Sequence, residues 1–132
     1  MSETSPPARA PRSRRQVICD IEEIPPGTRK IVEVNRRSIG IFNVNGTLRA
    51  VRNVCPHHGA PMCLGELTGT MMPPSTPGSH DLVWGLEGRV LRCPWHGFEF
   101  DVETGRAIWD PEDMRVRVYT VSVEDGKVVL EA

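Results

Sequence analysis

A chain of 132 residues can hold one domain with its own core and has no room for a second of ordinary size. Its 16 basic and 17 acidic residues leave a formal charge of −1, which sets aside nucleic acid and anionic membranes as default partners. No run approaches the roughly 18 apolar residues of a membrane-spanning helix, so the chain is expected to be soluble.

Residues 1–15 are rich in Pro, Ser, Ala and Arg without an apolar period, and read as a flexible N-terminal tail made basic by four arginines. Ser13-Arg14-Arg15-Gln16-Val17-Ile18 has the outline of a twin-arginine export signal. Asp20, Glu22 and Glu23 then interrupt the apolar segment that such a signal requires, so export is rejected and a cytoplasmic location is expected.

From Gln16 to Ala132 the chain is a series of short β-type runs separated by turn residues, the pattern of a small all-β, antiparallel sandwich or barrel. Strands are predicted over 16–20, 30–34, 38–44, 47–54, 82–84, 89–92, 98–101, 115–123 and 127–131. Asn45-Gly46 and Asp125-Gly126 each read as a two-residue hairpin turn, because both residue types accept positive φ. In the penultimate strand the apolar positions change phase, from Val116 and Val118 to Val121 and Val123, which predicts a bulge near Tyr119 and Thr120. Between Gly65 and Gly88 the prolines at 73, 74 and 77 argue against regular strand pairing, and the segment reads as an inserted surface excursion.

Two segments share one form: Cys55-Pro56-His57-His58-Gly59 and Cys93-Pro94-Trp95-His96-Gly97. Each supplies a thiolate and an imidazole, then a glycine that lets the backbone turn away, and each follows an apolar strand. Two sulfur and two nitrogen ligands suit either a tetrahedral zinc ion or an iron-sulfur cluster with mixed ligation. Structural zinc sites favour two to four residues between cysteines and three to five between histidines, so a Cys-x-His pair is unusual for zinc.

The paired Cys-x-His and Cys-x-x-His motifs resemble those of the Rieske ferredoxin family, and the resemblance covers roughly residues 16–132. It implies one 2Fe-2S cluster per chain. Cys55 and Cys93 would hold the inner iron, and His57 and His96 the outer iron near the surface, where an electron would leave or enter. The fold it implies is a small antiparallel sandwich or barrel in which two loops form a cluster-binding subdomain. The function it implies is one-electron transfer between a reductase and a terminal oxygenase. A permanently bound redox subunit of a larger oxidoreductase is the alternative, and a structural zinc module is a third. The gap from His57 to Cys93 holds 35 residues, 58 to 92, about twice the family's usual length, so the excursion bears on which partner is recognised.

Respiratory Rieske proteins carry an extra, disulfide-bonded cysteine on each loop; here those positions are Ala60 and Trp95. Their serine after the second His-Gly is Phe98 in this chain, and fewer hydrogen bonds to the reduced cluster imply a potential near the bottom of the roughly −150 to +300 mV Rieske range. After the cluster is assigned only His58 and His80 remain, too few for a mononuclear oxygenase iron, so the chain is not expected to be an enzyme by itself. Both are read as surface residues, Cys63 as an inert thiol and Cys19 as a small core residue. Trp95 is read as covering the cluster or contacting a partner, and residues 109–114 resemble the proline-containing loop that covers the cluster in Rieske folds.

Overall fold

The structure is a computed structural model describing residues 15–56, 59–72, 78, 82–95, 97–108 and 114–132. Residues 1–14 of the expected tail, the 109–113 part of the covering loop, and His57, His58, His80 and His96 lie outside these residues, while Arg15 opens the first strand rather than ending the tail. Among those described there are nine strands, two short 3-10 turns and no α-helix, so the fold is all-β as expected. Every register pair that can be described is antiparallel. The chain divides into two compact units, one formed by residues up to Ala50 with Tyr119–Ala132, the other by Val51–Val118.

The first unit carries a six-stranded sheet. In chain order its strands are β1 (Arg15–Asp20), β2 (Arg29–Val34), β3 (Arg37–Val44), β4 (Thr47–Arg52), β8 (Val118–Glu124) and β9 (Lys127–Glu131), arranged β1-β9-β8-β4-β3-β2. Alternation sends Val34, Ile39, Ile41, Leu48, Ala50, Val128 and Leu130 into one cluster with Ile24. Each of the larger side chains contributes roughly 1.5–3 kcal/mol by leaving water. Three two-residue turns close the hairpins. Asn45-Gly46 and Asp125-Gly126 have positive φ at both residues, as expected; Asn35-Arg36 does too, at 52° and 66°, a turn the sequence did not announce. Buried Asn43 pins the 24–28 turn, its Nδ2 donating to Ile24 O at 2.7 Å while its Oδ1 accepts the Gly46 amide at 2.8 Å.

The described β8–β9 pairing carries no bulge. The β8–β9 register runs unbroken from Thr120↔Glu131 to Glu124↔Lys127. Val116 precedes β8, its amide donating to Gly105 O at 2.7 Å, and Val118 opens the strand ahead of its first β9 pair. A register irregularity falls in β1, between Val17↔Val129 and Cys19↔Val128, leaving Ile18 as the extra residue.

The second unit carries β5 (Glu66–Met72), β6 (Val83–Arg92) and β7 (Glu99–Asp101) in the order β5-β6-β7. This corrects the reading of 65–88 as devoid of regular pairing: Glu66–Met72 is a strand, paired with β6 from Glu66↔Arg92 to Met72↔Val83. Glycine makes it possible, because a Cβ on Gly69 would come within 2.5 Å of Gly85 O and 2.9 Å of the Trp84 Nε1. The register breaks between Thr68↔Val90 and Thr70↔Gly85, so residues 86–89 of β6 face Gly69 alone. Leu86 and Gly88 take positive φ there.

Candidate metal centre

Each cysteine motif begins where a strand of the sheet framework ends. Asn53 and Val54 carry the chain from β4 to Cys55, and Cys93 directly follows the last residue of β6. The two loops close with the same hydrogen bonds. Cys55 N donates to Ala60 O at 2.8 Å and Gly59 N to Cys55 O at 2.8 Å; Cys93 N donates to Phe98 O at 2.7 Å and Gly97 N to Cys93 O at 3.0 Å. Proline after each cysteine fixes φ, and the glycine four places on supplies the left-handed residue, at +76° for Gly59 and +73° for Gly97. The backbone frames are therefore equivalent while the histidines are not: His57 stands two residues after its cysteine and His96 three.

Cys55 and Cys93 are 1% and 2% exposed, whereas Pro56, Gly59, Pro94 and Gly97 are exposed. The loops thus turn their sulfur ends into the unit and their outer backbone towards solvent. None of the four cysteines forms a disulfide. Among the described residues no three Cys, His, Asp or Glu side chains gather as a metal site, and with both candidate histidines outside that set only the thiolate half of the ligand set can be placed. Two buried thiols on matching loops of one compact unit fit that half.

The remaining candidates are placed as follows. Ala60 is fully buried, and Phe98 is half-buried with its carbonyl engaged by Cys93. Trp95 leaves 59% of its surface exposed. Cys63 is fully buried and donates its thiol to Val51 O at 3.2 Å, which suits a protonated, structural side chain. Cys19 is half-buried and packs against the first unit's core; burial pushes its thiol pKa up, and the charge of Glu23 adds to this.

Two features of the site escaped the sequence reading. Asn53 Oδ1 accepts the Cys63 amide at 2.7 Å and so ties the return of the first loop to its approach. On the outgoing side, Arg92 bridges Glu66 (3.3 Å) and Glu99 (2.8 Å), its cross-strand neighbours, and Thr70 Oγ1 donates to Glu99 Oε1 at 2.6 Å. An alternating charge pattern on known strand registers would have revealed this ladder, but the register was not readable without β5.

Comparison with known proteins agrees with this geometry. The ferredoxin component of the naphthalene 1,2-dioxygenase/salicylate 5-hydroxylase systems of a Ralstonia species is 32% identical over 111 residues, 84% of this chain and 88% of its own. The ferredoxin component of the Pseudomonas aeruginosa naphthalene 1,2-dioxygenase system is 31% identical over 109 residues, covering 83% of this chain and 86% of its own. Among solved structures, the ferredoxin of carbazole 1,9a-dioxygenase from Nocardioides aromaticivorans IC177 shares the fold, with a TM-score of 0.66 at 22% identity, covering 88% of this chain and 95% of that one. The family description "Rieske [2Fe-2S] domain" matches residues 14–120, a span that contains both cysteine loops and all nine strands but the last in whole or in part. The chain belongs to the Rieske [2Fe-2S] domain family, whose cofactor is a 2Fe-2S cluster.

Proposed function

We propose that this protein is a one-electron carrier in which Cys55, His57, Cys93 and His96 hold the 2Fe-2S cluster, passing electrons from a reductase to the terminal oxygenase of a dioxygenase system. The observation that carries this is the pair of equivalent loops, each presenting a buried cysteine behind an exposed backbone. When bound, the cluster supplies a one-electron couple. The chain's own part is to keep water from the sulfur ligands, through burial of Cys55 and Cys93, and to offer surface beside them. Exposed Trp95, next to His96 in sequence, supports contact with a partner over a covering role. A cytoplasmic location is supported by four cysteines outside any disulfide, as suits a reducing compartment. Among the described residues no helix is long and apolar enough to cross a membrane.

The test is direct. Purified protein should be red-brown with about two irons and two labile sulfides per chain. Its reduced form should show the electron paramagnetic resonance of mixed His and Cys ligation, and should be reoxidised on mixing with the oxygenase component of a naphthalene 1,2-dioxygenase system. A colourless protein holding one zinc ion would overturn the reading.

A further inference from the structure

We propose that Gly65 is a positioning residue of the cluster site, setting how closely the return of the first cysteine loop rests on the backbone that delivers Cys93. This inference depends on the reading of Cys55 and Cys93 as cluster ligands.

Gly65 has φ −76° and ψ 174°, an extended conformation open to any residue, so backbone freedom is not what glycine provides here. What it provides is room. A Cβ at this position would lie 2.9 Å from the carbonyl carbon of Arg92, closer still to its oxygen, and 3.2 Å from Met62 O. The glycines inside the loops, Gly59 and Gly97, differ in kind: a Cβ on either would meet nothing within 4 Å, and they act through positive φ.

Arg92 immediately precedes Cys93, and a chain of short contacts joins the other side of Gly65 to Cys55. The Gly65 amide donates to Met62 O at 3.1 Å, closing the 3-10 turn Met62–Leu64. Cys63 in that turn is fastened through its amide to Asn53 and through its thiol to Val51, at 2.7 and 3.2 Å. Ala60 O accepts the amide of Cys55. The two cysteines are thus linked by a continuous path with Gly65 at its tightest point.

The obstacle to a side chain is backbone, and it is held. Arg92 pairs with Glu66 on one side and Glu99 on the other, within a three-stranded sheet. A Cβ on residue 65 is relieved most readily by moving the 60–65 return, which carries the first loop with it and changes its distance from Cys93. Altered sulfur geometry and solvent access at a cluster change its potential and its lability.

The experiment uses the full-length holoprotein and three variants. Gly65→Ala introduces the clash, Asn53→Ala loosens the same return without touching any glycine, and Ile39→Val trims the first unit's core as a control for general destabilisation. Readouts are midpoint potential, the paramagnetic resonance of the reduced state, the rate of iron loss to a chelator, and melting temperature. Gly65→Ala is expected to release iron at least tenfold faster and to shift the potential by the equivalent of about a threefold change in the one-electron equilibrium, roughly 28 mV. Asn53→Ala should shift the same readouts in the same direction by less, and Ile39→Val should move the melting temperature alone. If Gly65→Ala yields no folded protein, Asn53→Ala decides by the same measurements. Wild-type resonance, potential and release rate in every folded variant of residues 65 and 53 would overturn the proposal, even with a lowered melting temperature. Wild-type protein without two irons and two sulfides would instead sink the cluster reading on which the proposal stands.

Discussion

Arg92 grips Glu99 with two nitrogens, Nε at 3.2 Å and a terminal nitrogen at 2.8 Å, on neighbouring strands one residue short of Cys93. Glu99 keeps only 10% of its side chain exposed and also accepts the Thr70 hydroxyl, so its carboxylate is fully committed to protein partners. Replacing it with Leu should cost about 1–3 kcal/mol, the penalty for stranding the donors it satisfies. Glu66 faces the same arginine with 67% of its side chain in solvent, and Glu66→Ala should cost less than about 1 kcal/mol. Chemical denaturation of the two variants side by side checks the ranking, and equal losses would contradict it.

The two histidine positions are tested by chemistry rather than by stability. A thiolate in place of an imidazole adds negative charge at the cluster, so His57→Cys and His96→Cys should lower the midpoint potential or abolish assembly. His58→Ala should leave the visible and resonance spectra of the wild type. A spectrum perturbed as strongly by His58→Ala as by His57→Ala would transfer the ligand role to His58.

Between Met72 and Val83, which are cross-strand partners, the chain runs through ten residues, 73 to 82. Joining the partners directly through Asn-Gly should preserve the hairpin, since that pair supplies the φ angles of a two-residue turn. Cluster content and potential should hold, because the hydrogen bonds described for the two cysteine loops run through other residues. Electron transfer to the natural oxygenase should slow if the segment contributes to docking, as the exposed Met71, Val83 and Trp84 beside it suggest. A potential moved by more than about 59 mV, a tenfold change in a one-electron equilibrium, would show that the segment shields the cluster instead.

Cys19 predicts an alkaline limb in stability. Burial raises its thiol pKa above the ordinary value of 9.0, so the folded state holds the proton more tightly than the unfolded chain. That contribution is complete below pH 9 and is lost as the pH rises through the folded value. Cys19→Ser, which does not ionise in this range, should therefore show a shallower fall in stability above pH 9. Denaturant titrations at pH 8 and pH 10 measure the difference, and parallel losses in wild type and variant would remove Cys19 from the account.

Much of the fold was legible in local chemistry. Apolar runs bounded by turn residues define β2, β3, β4 and β9 to within two residues; burial alternates along β2 with the period of the pleat, while β3 and β9 bury consecutive residues on both faces. Asn45-Gly46 and Asp125-Gly126 mark their turns because few residue pairs tolerate two positive φ angles. The Cys-Pro and His-Gly spacing marks the two cysteine loops, since proline and glycine at fixed offsets constrain the backbone wherever the loop sits. Tertiary structure decided the rest. Strand β5 reads Glu-Leu-Thr-Gly-Thr-Met-Met, with glycine at its centre and no clean alternation; it exists because β6 supplies its hydrogen bonds and Trp84 needs the space over Gly69. The bulge of β1 at Ile18 was not announced, because register is settled by both strands together and one strand's apolar pattern does not show where its partner's residues fall. Gly65 looks like any turn glycine in the sequence. Only the carbonyl of Arg92, brought against it from 27 residues away, reveals what a side chain there would displace.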